Sequence, residues 1–334
     1  MVTQLRQAEV VLPVVECGPS GPVSALGAIG AVPWPRRTAR PRDPRPVRAV
    51  VLENERLIAT VLIGRGGRLH SLWHRREHRP VPFSAPTFQP VSGGPVFAAP
   101  VGEDTLRVWE WDVSRDLPYQ IDFVLPEGEA LQVDTKVRDP RGHTEWDELP
   151  PGDLIAAGSG WGALELTRLG VRLPGTPFTG LGPDQRPWLE LLRGNMTATD
   201  PELPPGRSLV SAPWRQMLES APENWLTAYH LGVARWQARE NEAAIAAWRR
   251  SIELDVSPWA LRNLAVAEFG CGHVREAAEL LTAAAWSTPA VPDLSVEAVD
   301  LLLAAGQADE AATLLRRVPP LGFLHTCSSL GLAM

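Results

Sequence analysis

Three stretches of this chain echo one another at a spacing of 33 or 34 residues, and that period constrains the fold more than any other feature. Ala277 follows Ala244 by 33 residues, Ala284 follows Ser251 by 33, and Ala311 follows Ala277 by 34. Gly272 and Gly306 mark matching turns. The first copy, NWLTAYHLGVARWQARENEAAIAAWRRSIELDVSP at 224–258, reads as two amphipathic helices joined by a tight turn. Leu226, Tyr229, Leu231, Gly232 and Trp236 carry the packing pattern of the first helix; Ala244, Trp248, Ser251 and Ile252 share a face of the second. Gly232 and Ala244 are small where the two helices must approach. Pro258 stands where a further helix can begin, because a proline in the first turn loses no needed N–H. A single helix pair cannot bury its apolar face, so the copies must stack.

The Leu-Gly pair, the central Ala, the Ala or Ser near the end and the Leu-Asp finish resemble a tetratricopeptide repeat (TPR). That resemblance implies a helical solenoid over 208–318 that holds a protein or peptide partner in a groove. The candidate groove residues are Tyr229, Val233, Arg262, Asn263 and Val266. Arg262 and Asn263 are suited to a backbone or a carboxylate. For each of these residues singly, solvated surface is the plainer reading.

Ahead of the repeats the hydrophobic period changes to two. The segment RAVVLENERLIATVLIGRGGRLHSLWHR predicts strands at about 48–53, 56–63 and 67–74, with further strands at 106–113, 119–125 and 131–138. Half-buried antiparallel strands of this kind build a sandwich or barrel. The expected class is therefore α+β: an N-terminal antiparallel β-sandwich over 47–140, an irregular connector with a short helix over 141–207, and then the helical repeats. A Pro- and Gly-rich lead occupies 1–46, with a β-like run at Val10–Val15. Its tract PWPRRTARPRDPRP holds five prolines and is expected to form neither helix nor sheet. The tail from 319 matches no repeat, which fits a truncated or frameshifted end.

Leu52, Glu53, Asn54, Gly66, Gly67, Arg68, Leu69 and Leu72, together with 106–128 and 152–165, resemble a bacterial family of unknown function, DUF5107. That family is joined to TPR repeats and is similar in fold to the galactose mutarotase supersandwich, a scaffold of sugar epimerases and glycoside hydrolases. The resemblance implies a carbohydrate-type module with Trp109, Glu110, Trp111 and His74 as its candidate binding residues. Two departures weigh against activity. The Glu-Trp-Asn of the family's Gly-Gly motif is absent after Gly93-Gly94, and the chain passes from Lys136–Pro140 almost directly to the closing segment. A shortened member of that family is the expected reading.

Other chemistry is sparse. His70, His74 and His78 are spaced by four, but a period-two segment does not gather them as ligands on a helix would. Glu110 and Asp112 share a strand face, and His143, Glu145 and Asp147 cluster in a loop. Solvated strand and loop residues are the plainer reading of both. There is no phosphate-binding loop, nucleophile elbow or zinc-protease motif. Cys17, Cys271 and Cys327 form no paired spacing, so neither a zinc site nor a disulfide scaffold is supported, and no metal or other cofactor is expected. A net charge of −7 argues against nucleic acid. One lysine and thirteen tryptophans suggest a GC-rich genome. The start shows no secretory pattern, and no run reaches the roughly 18 apolar residues of a membrane span. The expected protein is cytoplasmic: a partner-binding repeat protein with a degenerate carbohydrate-type module. The alternative is a glycoside hydrolase or sugar epimerase acting on that module.

Overall fold

The computed structural model describes residues 3–14, 43–83, 94–113, 115–137, 154–173, 176–178 and 180–316. These fall into two compact units, one holding 3–12 and 44–189, the other 190–316.

The first unit contains two antiparallel sheets. One has the order β1 (Gln4–Val14), β2 (Asp43–Glu53), β3 (Leu57–Leu62), β4 (Arg68–His74), β5 (Arg79–Pro80). The other runs β6 (Phe97–Val101), β7 (Thr105–Asp112), β8 (Leu117–Val124), β9 (Gln132–Val137). Within each sheet the strands pair in sequence order. Both sheets supply one core: Val50, Leu52, Ala59 and Val61 from the first, and Leu106, Val108, Ile121 and Phe123 from the second.

Two expectations change here. The first strand begins at Gln4, not Val10, and β2 begins at Asp43, inside the proline-rich tract. Pro44 and Pro46 are tolerated because they lie in the opening residues of β2, before its register with β3 starts at Val50↔Val61. The connector carries its expected short helix, α2 (Arg186–Leu192), and ahead of it α1 (Trp161–Leu169), a segment whose sequence suits a short strand or a helix.

In the second unit α3 (Ala212–Ser220) leads into three helix pairs: α4 (Trp225–Gln237) with α5 (Asn241–Leu254), α6 (Pro258–Gly270) with α7 (Val274–Ser287), and α8 (Pro292–Ala304) with α9 (Ala308–Leu315). Each helix packs chiefly against its neighbours in sequence. The repeat residues do what their sizes allow. A Cβ on Gly232 would lie 2.4 Å from Trp248 Nε1, so only glycine lets α4 meet the indole of α5. Ala244, Ala277 and Ala311 are buried at equivalent places. Ser251 donates to the Trp225 carbonyl at 2.7 Å, tying the end of α5 to the start of α4. Asn224 caps α4 by accepting from the amides of Leu226 and Thr227, both at 3.0 Å. The turns inside the three pairs share one left-handed residue, at φ 65° for Arg239, 88° for Gly272 and 77° for Gly306.

Candidate functional site

Strand β7 is buried on both faces. Leu106 and Val108 point into the shared core. Across the register Arg107 faces Asp122, Trp109 faces Gln120 and Trp111 faces Pro118, so these six form the opposite face. Arg107 makes a bidentate pair with Asp122, Nε–Oδ1 2.7 Å and Nη2–Oδ2 2.8 Å, and its guanidinium lies 6.0 Å from the centre of the Trp109 ring. Trp109 and Trp111 are wholly buried. Phe178 packs edge-on against Trp111 and Phe97, with centroids 6.2 and 5.7 Å away. Arg168 of α1 pairs with Asp116 at 2.8 Å, and Asp116 also accepts from the Trp111 indole at 3.3 Å.

Neither Trp109 nor Trp111 therefore presents a face to solvent on which a sugar ring could stack. Glu110 accepts from the backbone amides of Trp111 and Ser159, at 2.9 and 3.0 Å, and is itself buried. His74 stands on β4 of the other sheet, half-buried, where its Nδ1 accepts from the Glu77 amide at 3.1 Å. Glu77 is held below the usual carboxylate range, first by its hydrogen bond to Arg79. His70 lies on β4 and His78 in the following turn, at a left-handed φ of 48°. Asp112 is engaged by Arg115 at 3.0 Å. Residues 143, 145 and 147 lie outside the described residues.

The residues that carry the β-part resemblance have structural work. Asn54 is fully buried; its Oδ1 accepts from the amides of Arg56 and Leu57, both at 2.8 Å. Its Nδ2 donates to the carbonyls of Pro126 and Glu129 at 2.7 and 3.3 Å. One side chain thus pins the β2–β3 turn of one sheet to the β8–β9 connection of the other.

In the helical unit all five expected groove residues are buried, with Tyr229, Val233, Arg262, Asn263 and Val266 no more than 4% exposed. Arg262 does hold a carboxylate, but an internal one. Its Nε and Nη2 meet Glu297 of α8 at 2.9 and 3.1 Å. Asn263 Oδ1 accepts from Arg262 at 3.3 Å. Burial raises the Tyr229 hydroxyl well above its ordinary range. His230 hydrogen-bonds the Ser208 hydroxyl at 2.8 Å, and burial lowers its pKa to about 3.

Open concavities lie elsewhere on this unit. A groove of about 440 Å³ crosses α4 between α3 and α5, floored by Thr227, Ala228 and Leu231 and flanked by Ala246 and Ala247. Arg250 lines it and grips Glu223 through two bonds of 3.0 and 2.9 Å. The carboxyl of Glu223 is thereby lowered. Arg235 meets Glu219 on the groove's other side at 3.4 Å. A second concavity, about 350 Å³, lies among α7, α8 and α9, bordered by Ala283, Trp286, Leu302 and Glu310. Trp286 there is 43% exposed. The sequence placed the groove at Tyr229, Val233, Arg262, Asn263 and Val266, none of which lines either concavity.

Among the described residues no helix is long and apolar enough to cross a membrane. No family model and no curated protein matches the chain. Among solved structures, it resembles the crystal structure of a TPR-domain containing protein from Parabacteroides distasonis, with 13% identity and a TM-score of 0.44 over 99% of this chain and 96% of that one. It also resembles the crystal structure of MamA protein, with 21% identity and a TM-score of 0.29 over 36% of this chain and 68% of that one.

Proposed function

We propose that this is a partner-binding protein whose helical half is a TPR-type solenoid, and that the partner is a peptide segment lying in the groove over α4. The observation that carries the reading is the open groove of about 440 Å³ that crosses α4 between α3 and α5. It is lined by both signs of charge, Glu219 and Glu223 with Arg235 and Arg250, around small apolar residues. That chemistry suits a short segment with small apolar side chains flanked by charges. The buried set Tyr229, Val233, Arg262, Asn263 and Val266 fixes the helix spacing that keeps the groove open.

The β unit, in this reading, is a shortened sandwich related to the mutarotase-like module and serves as a structural partner domain. The engaged state of Glu110 and Asp112 and the burial of Trp109 and Trp111 support a non-catalytic role.

The test is a peptide selection by phage display on the full chain, followed by affinity measurement on Ala246→Trp. Ala246 is exposed at the groove, so the new indole fills it without entering the core. Selected peptides should lose at least about tenfold in affinity, some 1.4 kcal/mol. Peptides that bind both proteins equally would remove the groove from the account.

A further inference from the structure

We infer that the turn between α6 and α7 binds a divalent transition-metal ion through His273, Glu268 and Glu276. One ligand atom from each of the three lies within 4.8 Å of the other two. The chain builds this cluster locally. Glu268 sits in the last turn of α6, Gly272 reverses the chain at φ 88°, and the His273 amide donates back to the Glu268 carbonyl at 3.0 Å. His273 thus folds over Glu268, and Glu276 follows in the first turn of α7.

The donor geometry fits an ion. His273 Nδ1 lies 2.8 Å from Glu268 Oε2. Adjacent donors around a tetrahedral ion with bonds of about 2.1 Å stand roughly 3.4 Å apart, so this pair would open by about 0.6 Å and exchange its hydrogen bond for two bonds to the ion. Glu268 is oriented from behind: Arg249 donates to its Oε1 at 3.0 Å and leaves Oε2 facing the imidazole. Such an outer partner fixes a ligating carboxylate. A simple histidine–glutamate pair accounts for only two of the three groups; Glu276 brings a second carboxylate, whereas Arg249 engages only Glu268.

Imidazole with carboxylates favours zinc, nickel or copper over magnesium or calcium. Glu268 is buried while His273 and Glu276 are exposed, so an ion would have one anchored ligand and a solvent-facing side for water. The repeat itself does not require this set. The equivalent positions are Arg235, Glu240 and Ala243 in the first pair and Leu302, Gln307 and Glu310 in the third.

Isothermal titration of untagged full-length protein with zinc chloride at neutral pH tests the assignment. One saturable zinc site per chain is expected, weakened at least tenfold by His273→Ala and by Glu276→Gln, and unchanged by Cys271→Ser or His74→Ala. Far-UV circular dichroism checks that each variant keeps its helices; if His273→Ala does not, Glu276→Gln alone decides. Absence of saturable binding, an isotherm that these two variants leave unmoved, or loss of binding in Cys271→Ser or His74→Ala overturns the inference.

Discussion

Replacing Gly232 with alanine sets two effects of opposite sign against each other. In the interior of an exposed helix the change stabilises by about 1 kcal/mol, because glycine loses more backbone entropy on folding. At Gly232 the new methyl would lie 2.4 Å from Trp248 Nε1, 2.5 Å from Cδ1 and 2.8 Å from Cε2, all inside contact distance. The indole cannot swing out, since Trp248 is fully buried and packs against Trp236 at a centroid distance of 5.7 Å. Forcing one extra carbon into such a core costs roughly 1–3 kcal/mol, occasionally more. The steric term should win, leaving a net loss of up to about 2 kcal/mol. Urea unfolding followed by the helical circular dichroism signal measures it. A double-mutant cycle then isolates the cause: in a Trp248→Leu background the same Gly232→Ala change should become neutral or stabilising. If Gly232→Ala raises stability in the otherwise unaltered protein, the close approach of α4 and α5 inferred from the repeat signature is wrong.

Three further outcomes follow from the helical unit. Arg239→Gly should stabilise by about 0.5–1 kcal/mol, because Arg239 holds the left-handed conformation that glycines occupy in the other two turns; a higher melting temperature checks it. Glu297→Leu should cost roughly 3–5 kcal/mol in urea unfolding, since it leaves the Arg262 guanidinium buried without its carboxylate, whereas Arg262→Met with Glu297→Leu should recover most of that loss. His230 is lowered by burial from an ordinary 6.5 to about 3, so the unfolded chain takes up its proton first. Its stabilisation is full above pH 6.5 and should fall by about 1.4 kcal/mol per unit as pH drops from there toward 3; His230→Phe should remove that component from urea midpoints measured at pH 7 and pH 5.

The repeats were legible because small residues at a fixed period have one use, the close approach of helices. Pro258 begins α6 as its position predicted. The strands at 57–62, 68–74 and 105–112 were legible from period-two hydrophobicity. The same pattern misled about burial. Glu110 and Asp112 read as solvated strand residues, yet both are buried, Glu110 accepting from the amides of Trp111 and Ser159 and Asp112 pairing with Arg115. Likewise Arg262 read as a free cation, since its partner Glu297 lies 35 residues away and only the stacking of α6 on α8 brings them together. Helical period shows which residues share a face but not what covers it. The grooves escaped for the reverse reason: Ala246 and Ala283 are unremarkable in sequence and matter only for the space beside them.

Hydrogen–deuterium exchange of the full chain, with and without a selected peptide, decides whether the helical half holds it. Slowed exchange should be confined to α3, α4 and α5, residues 212–254, with β7 and β8 unchanged. Protection that falls instead on 105–124, and not on those helices, would contradict it and return function to the sheets.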